Sequence, residues 1–145
     1  MSGDAALTLD QIEIVINKSK LQWGTTIQDI ISRIRYVKDI PVTQVDMLSN
    51  RHKLVDKISE MQMKIFKLKE SYDNKYKEKY HFYKTQYNLK LNGGETNKFV
   101  AADLTLITRQ IDILSSHVDF FKECIRTLDN VGFAIKNRMN IDIDT

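Results

Sequence analysis

The stretch VAADLTLITRQIDILSSHVDFFKECIRTLDNVGFAIKNRM, residues 100–139, decides the fold. Its apolar side chains recur at alternating intervals of four and three residues, and only Gly132 in this series is not apolar. This spacing is the a/d seam of a coiled coil, sustained over more than five heptads. We therefore expect one long helix over about residues 97–139. The series is Val100, Leu104, Ile107, Ile111, Leu114, Val118, Phe121, Ile125, Leu128, Gly132, Ile135 and Met139.

A second apolar stripe lies beside this seam and widens the apolar arc to nearly half of the helix. It contains Leu106, Ile113, Phe120, Cys124 and Val131. A two-stranded coiled coil buries only a narrow seam, so an arc this wide needs two neighbours. We expect the partner helix of a hairpin on one side and another subunit on the other; a core helix of a monomeric bundle is the alternative. The predicted oligomerisation residues are Ile111, Leu114, Val118, Phe121, Ile125 and Leu128.

The rest of the chain also favours helices. One proline and five glycines in 145 residues are too few for a β-sandwich or barrel, which needs a turn every 8–12 residues. Gly24 and Pro41 interrupt the helical patterns near the N-terminus, and Asn92-Gly93-Gly94 is the one strong turn of the second half. We predict a single all-α domain over residues 1–145: two shorter helices within about 8–40, then a coiled-coil-like antiparallel hairpin of helices 44–91 and 97–139.

Several classes of protein are disfavoured by what the sequence lacks. It has no Walker A loop, HExxH, CxxC or GxSxG motif, and its three histidines share no ligand spacing, so we expect no enzyme, cofactor or metal site. The single Cys124 cannot form an internal disulfide, which fits a reducing compartment. No apolar run approaches the ~18 residues of a membrane span. The first fifteen residues carry no Lys or Arg, so we expect no signal peptide and a soluble, intracellular protein.

The positive charge is concentrated in one aromatic segment. The net charge is only +3, yet residues 51–90 hold eleven Lys and Arg against five Asp and Glu. Five of the six tyrosines lie in residues 72–87 and occupy one helical arc of about 80°. Tyrosines interleaved with lysines suit single-stranded nucleic acid, because bases stack on the rings while lysines neutralise phosphates. The predicted DNA-binding residues are Lys84, Lys77, Lys79, Lys90, Tyr83, Tyr87 and Tyr80.

Other interpretations of this segment remain open. The tyrosines can continue the core seam, with only their hydroxyls reaching solvent. Lys79 and Lys90 fall within or at the edge of the tyrosine arc, which a dry core would resist. Binding to anionic lipid is disfavoured because lysines alternate with acidic residues and no strong amphipathic anchor is present. The main alternative function is a structural coiled-coil adaptor that binds protein partners only.

Several short strings resemble the UvsY family, the recombination mediators of T-even-like bacteriophages. They are Lys20-Leu21-Gln22 followed by an aromatic residue, the lysine-rich helix that ends in tyrosines and a glycine-containing turn, Asp119-Phe120, and Gly132-Phe133-Ala134-Ile135-Lys136. The size of the protein and the order of these features are similar too. The Gly-Phe-Ala-Ile-Lys string is the most specific of them.

The resemblance implies a function. Members of the family are helical homo-oligomers, typically heptameric rings, which bind single-stranded DNA in the cytoplasm of the bacterial host during recombination, repair and replication. They help to load the UvsX recombinase onto DNA against the phage single-stranded-DNA-binding protein, and they hydrolyse no nucleotide. The family has a Lys-x-Arg implicated in DNA binding ahead of its turn. The matching stretch here is Lys84-Thr85-Gln86-Tyr87, in which Lys84 matches and Gln86 supplies no charge.

Overall fold

The computed structural model describes residues 8–144, and the side chains of residues 8–139, as an all-α protein. Four helices follow one another: α1 (Leu9–Arg33), α2 (Ile40–Thr85), α3 (Gly93–Asp103) and α4 (Thr105–Asp144). The predicted all-α class, with a long helix, is confirmed. The signal-peptide expectation and the ends of the predicted 1–145 domain fall partly on residues 1–7 and 145, which lie outside the described residues. None of the helices within 8–144 is long and apolar enough to span a membrane.

The helices pack side by side with α4 in contact with both long neighbours. Arg51 of α2 forms an ion pair with Asp129 of α4 (Nε to Oδ1, 3.0 Å), and Tyr83 near the other end of α2 bonds to Asp103, so α2 runs antiparallel to the second half of the chain. His117 lies beside Ser19, and Arg138 donates to the carbonyl of Ile34, so α1 runs parallel to α4.

The main core lies where these three helices meet. Fully buried side chains from each helix fill it, and Trp23 of α1 packs edge-on against Phe121 of α4 with ring centroids 6.3 Å apart. Burying side chains of this size is the principal source of stability, at about 1.5–3 kcal/mol each. The most deeply buried apolar residues here are Ile30, Ile40, Leu54, Phe121, Leu128 and Ile135.

The second neighbour of α4 differs from our expectation. Over the main core it is α1 rather than another subunit, because α1 is one helix of 25 residues, about 37 Å long, that lies along α4. The seam residues Val118, Phe121 and Leu128, predicted to join subunits, are therefore buried within the chain itself. Of the other predicted oligomerisation residues, Ile111, Leu114 and Ile125 are half-buried.

The predicted break at Gly24 is wrong. Helix α1 continues through this residue, whose backbone does not adopt a positive φ. The next two residues also lie in the helix, where the hydroxyls of Thr25 and Thr26 donate to the carbonyls of Leu21 and Gln22, four residues earlier. A single glycine weakens a helix without ending it, and here the packing of α1 on α4 outweighs its cost.

Pro41 begins a helix, although we predicted that it would end one. It lies in the first turn of α2, where a missing N–H group costs nothing, and a short 3₁₀ turn (Val37–Asp39) precedes it. An ion pair between Arg33 and Asp46 (Nη1 to Oδ2, 2.6 Å) joins α1 to α2 at this corner. Helix α2 thus spans Ile40–Thr85 rather than residues 44–91.

The predicted last helix is two helices. Asn92 caps α3 reciprocally with Glu95, so α3 starts at the predicted glycine turn rather than after it. At Leu104 the backbone leaves helical geometry (φ −102°, ψ 11°), and α4 starts at the next residue. The seam continues across this break, because Val100 and Leu104 are both buried.

Candidate nucleic-acid interface

An aromatic cluster closes the end of the hairpin where α2 meets α3. It consists of Phe82, Tyr83 and Tyr87 from the end of α2 and the following loop, and Phe99 from α3. The ring of Tyr83 lies 5.0 Å from that of Tyr87 and 5.6 Å from that of Phe99, measured between centroids. Phe82 contacts Tyr83 and Tyr87 edge-on. These geometries are the favourable tilted and T-shaped arrangements of packed aromatic rings.

The tyrosine hydroxyls bond across the hairpin. The hydroxyl of Tyr76 donates to Oδ1 of Asn97 over 2.5 Å, and that of Tyr83 donates to Oδ2 of Asp103 over 2.6 Å. This bond to a carboxylate raises the pKa of the Tyr83 phenol, because losing the proton would leave two negative oxygens side by side. Tyr83 is therefore a donor that ties α2 to α3, in addition to any contact that it makes with a ligand.

Three other tyrosines of α2, Tyr72, Tyr76 and Tyr80, form a row along the helix. The rings of Tyr72 and Tyr76 lie 5.9 Å apart, and those of Tyr76 and Tyr80 lie 6.4 Å apart and nearly parallel. All three side chains are half-buried. The tyrosine arc is therefore neither a dry core nor a free surface, because each ring is partly buried and partly accessible to solvent.

The predicted DNA-binding lysines fall into two groups. Lys79 Nζ lies 3.9 Å from Oδ2 of Asp103, and Lys84 Nζ lies 3.4 Å from the carbonyl of Leu91 and 5.8 Å from the centroid of the Tyr80 ring. These are long contacts on exposed side chains, which a phosphate can replace at little cost. Lys77 and Lys90 are exposed and make no ion pair within residues 8–139.

The structure thus brings most of the predicted site together. Tyr80, Lys84 and Leu91 meet at the end of α2, and the rings of Tyr83 and Tyr87 meet edge-on at the same end of the hairpin. Lys77 lies two helical turns before Lys84 on the same side of α2, at the spacing of one heptad. Aromatic rings and at least two lysines, Lys79 and Lys84, thus lie at the same end of the hairpin, a combination of residue types found in sites for single-stranded nucleic acid.

Two residues of the cluster were missed by our sequence analysis. Phe82 stands next to Tyr83 on another face of α2, and its side chain is 40% exposed. Phe99 lies outside the a/d seam and has the same exposed fraction. Each of them could have been found as an aromatic residue outside the predicted patterns. Phe82 lies outside the tyrosine arc of α2, and Phe99 lies outside the a/d seam.

Residues 8–139 hold no group of three or more His, Cys, Asp or Glu side chains placed to bind a metal ion. His117 and Cys124, the two buried groups with reactive chemistry, lie in the main core, away from the aromatic cluster. Comparisons with protein-family models, curated proteins and solved structures gave no match. The resemblance to the UvsY family therefore stays a prediction.

Proposed function

We propose that this protein binds single-stranded DNA as a homo-oligomer and acts, without catalysis of its own, as a recombination mediator. The observation that carries the proposal is the aromatic cluster at the end of the hairpin, together with Lys84, whose Nζ lies 5.8 Å from the centroid of the adjoining Tyr80 ring. The loading of a UvsX-like recombinase against a single-stranded-DNA-binding protein, and a heptameric ring, rest on the sequence resemblance alone.

Self-association is supported by apolar surface that the chain leaves uncovered. Leu48 of α2 and Phe133 of α4 are each about two-thirds exposed (69% and 67%), and they flank a groove whose floor includes Met47 and Gly132. Exposed apolar side chains that are grouped at a groove, rather than scattered singly, suit a contact with another protein. A second copy of the chain is the occupant we propose, in place of a contact through the buried part of the seam.

The binding of DNA is tested by titrating a labelled oligothymidylate at several salt concentrations. We expect Lys84→Ala to weaken binding equally for all base sequences and to reduce the slope of log K against log salt by about 0.7, the loss of one phosphate contact. Combined Lys77→Ala and Lys79→Ala changes should add to this effect. The matched control is Lys38→Ala, which removes an exposed lysine at the opposite end of the hairpin.

The alternative is a coiled-coil adaptor that binds protein only. The bonds from Tyr76 to Asn97 and from Tyr83 to Asp103 favour it, since they give the tyrosines a structural role. The same titration separates the two functions. If the Lys84 variant and the Lys77/Lys79 variant both bind oligothymidylate as the wild type does, the basic segment is only a solvated surface and the adaptor becomes the leading hypothesis.

A further inference from the structure

A row of lysines runs along α2, apart from the lysines at the hairpin end. The row, here called the lysine strip, consists of Lys53, Lys57, Lys64 and Lys75, all with exposed side chains. At 3.6 residues per turn these four lie within one arc of about 40° on the helix surface. The strip therefore presents its ammonium groups in a line rather than scattering them around the helix.

The acidic residues of α2 lie outside this arc. Between Lys53 and Thr85 the five carboxylates fall on other parts of the helix surface, and the nearest two, of Glu60 and Glu78, lie about 20° beyond its edge. Of these two, Glu60 pairs with Lys57 over 3.8 Å between exposed groups, a contact worth little in water. Lys64 and Lys75 make no ion pair within residues 8–139. The strip is thus a positive track with almost no internal neutralisation.

The strip ends on an exposed aromatic ring. Phe82 falls in the same arc, seven residues after Lys75, and about 44 Å separates the two ends from Lys53 to Phe82 along the helix axis. The Phe82 ring touches Tyr87, at 6.2 Å between centroids, so the strip leads into the aromatic cluster. Phosphates along a line of lysines and bases against a ring at its end are the two contacts of single-strand binding.

We propose that a single strand of nucleic acid lies along the lysine strip and stacks a base on Phe82, so that the binding path follows the outer face of α2 and is not confined to the hairpin end. This proposal rests on the proposed function. A single strand fits better than a duplex, whose bases are not free to stack on a ring. It also fits better than an acidic protein segment, which would gain nothing from the aromatic end.

The test compares matched variants of the full chain in the oligothymidylate titration. Lys64→Gln with Lys75→Gln removes two strip charges, and Lys38→Gln with Lys122→Gln removes two exposed charges that lie outside α2. We expect the strip pair to lower the salt slope by about 1.4 and to weaken binding severalfold, and the control pair to change neither. Equal losses in both pairs, or no loss in either, would overturn the proposal.

The aromatic end of the strip is tested by comparing two phenylalanine substitutions. Phe82→Leu should lose at least about fivefold in affinity, whereas Phe66→Leu, which alters an exposed phenylalanine on the opposite side of α2, should bind as the wild type does. Competition by polyglutamate as strong as that by oligothymidylate would overturn the path, since the strip would then recognise charge alone. A wild type that binds no oligothymidylate overturns the proposed function as well. If Lys84→Ala loses affinity and the variant with Lys64→Gln and Lys75→Gln does not, only the path along the lysine strip is overturned, and the proposed function stands.

Discussion

His117 is a titratable side chain that lies in the main core. It is almost fully buried between α1 and α4, where its Nε2 lies 3.2 Å from Oγ of Ser19 and its ring packs against Phe120 and Phe121. Its Nδ1 has no hydrogen-bond partner among the described residues. Burial lowers the pKa of His117, and the positive charge of nearby Lys20 lowers it further. Burial therefore favours the neutral imidazole over the charged one in the folded protein.

This depressed pKa predicts a loss of stability in mild acid. Below about pH 6.5 the unfolded chain takes up a proton on His117 before the folded chain does, so the free energy of unfolding falls as the pH decreases. The contribution of this group is fully present above that pH, and its loss can reach about 1.4 kcal/mol per pH unit. We expect thermal unfolding, followed by circular dichroism between pH 7.5 and 5.5, to show a falling midpoint.

Two histidine variants isolate this effect. His117→Gln, which removes the titrating group, should make the midpoint less dependent on pH than it is in the wild type. His81→Gln, at an exposed position on α2, should leave the pH dependence as it is. If His117→Gln unfolds with the same pH dependence as the wild type, the imidazole is not the group that titrates.

At the scale of the helices, the continuity of α1 through Gly24 makes a direct prediction. A Cβ atom added at Gly24 would meet no other atom within 4 Å, and the backbone there has ordinary helical geometry. Gly24→Ala should therefore stabilise the protein by about 0.5–1 kcal/mol, because alanine loses less backbone entropy in a helix. Urea unfolding measures the difference.

A proline at the same position provides the contrasting case. Gly24→Pro should destabilise the protein by about 3 kcal/mol, because it removes a helical hydrogen bond and clashes with the preceding turn. A proline that is tolerated at residue 24, together with an alanine that brings no gain, would indicate that the chain breaks there as we first expected.

The helices show how far local pattern predicts structure. The a/d seam predicted the long last helix and its buried side because four-three spacing specifies which face is apolar. The breaks predicted at Gly24 and Pro41 were wrong because a helix can contain either residue. Glycine is tolerated at an exposed position within a helix, and proline is tolerated in the first turn. The break at Leu104 carries no glycine or proline, so the sequence pattern offered no signal for it.

The candidate site was predicted only in part, for a similar reason. The spacing of the tyrosines and lysines placed them on one side of α2, which requires only helical periodicity. Which hydroxyl meets Asn97 or Asp103, and which ring meets Phe99, depends on how α3 folds back on α2. These contacts join residues about twenty positions apart, and no periodicity within one helix encodes them.

At the scale of the whole molecule, the four helices leave apolar surface uncovered at several places. Val45, Leu48 and Phe133 are each more than 60% exposed, although residues of this type are usually buried. The chain buries its main core near the Pro41 corner and places the aromatic cluster at the other end of the hairpin. We predict that copies of the chain assemble through this uncovered surface, while the hairpin end that carries the aromatic cluster remains free to bind DNA.

Light scattering of the pure protein with and without oligothymidylate tests this account most directly, since one measurement reports both assembly and binding. A single chain has a mass of 16.9 kDa. We predict a particle of several chains at micromolar concentration, whose mass rises by that of bound oligonucleotide at low salt and returns to its starting value at high salt. A particle of one chain whose mass does not change when oligothymidylate is added would contradict the account.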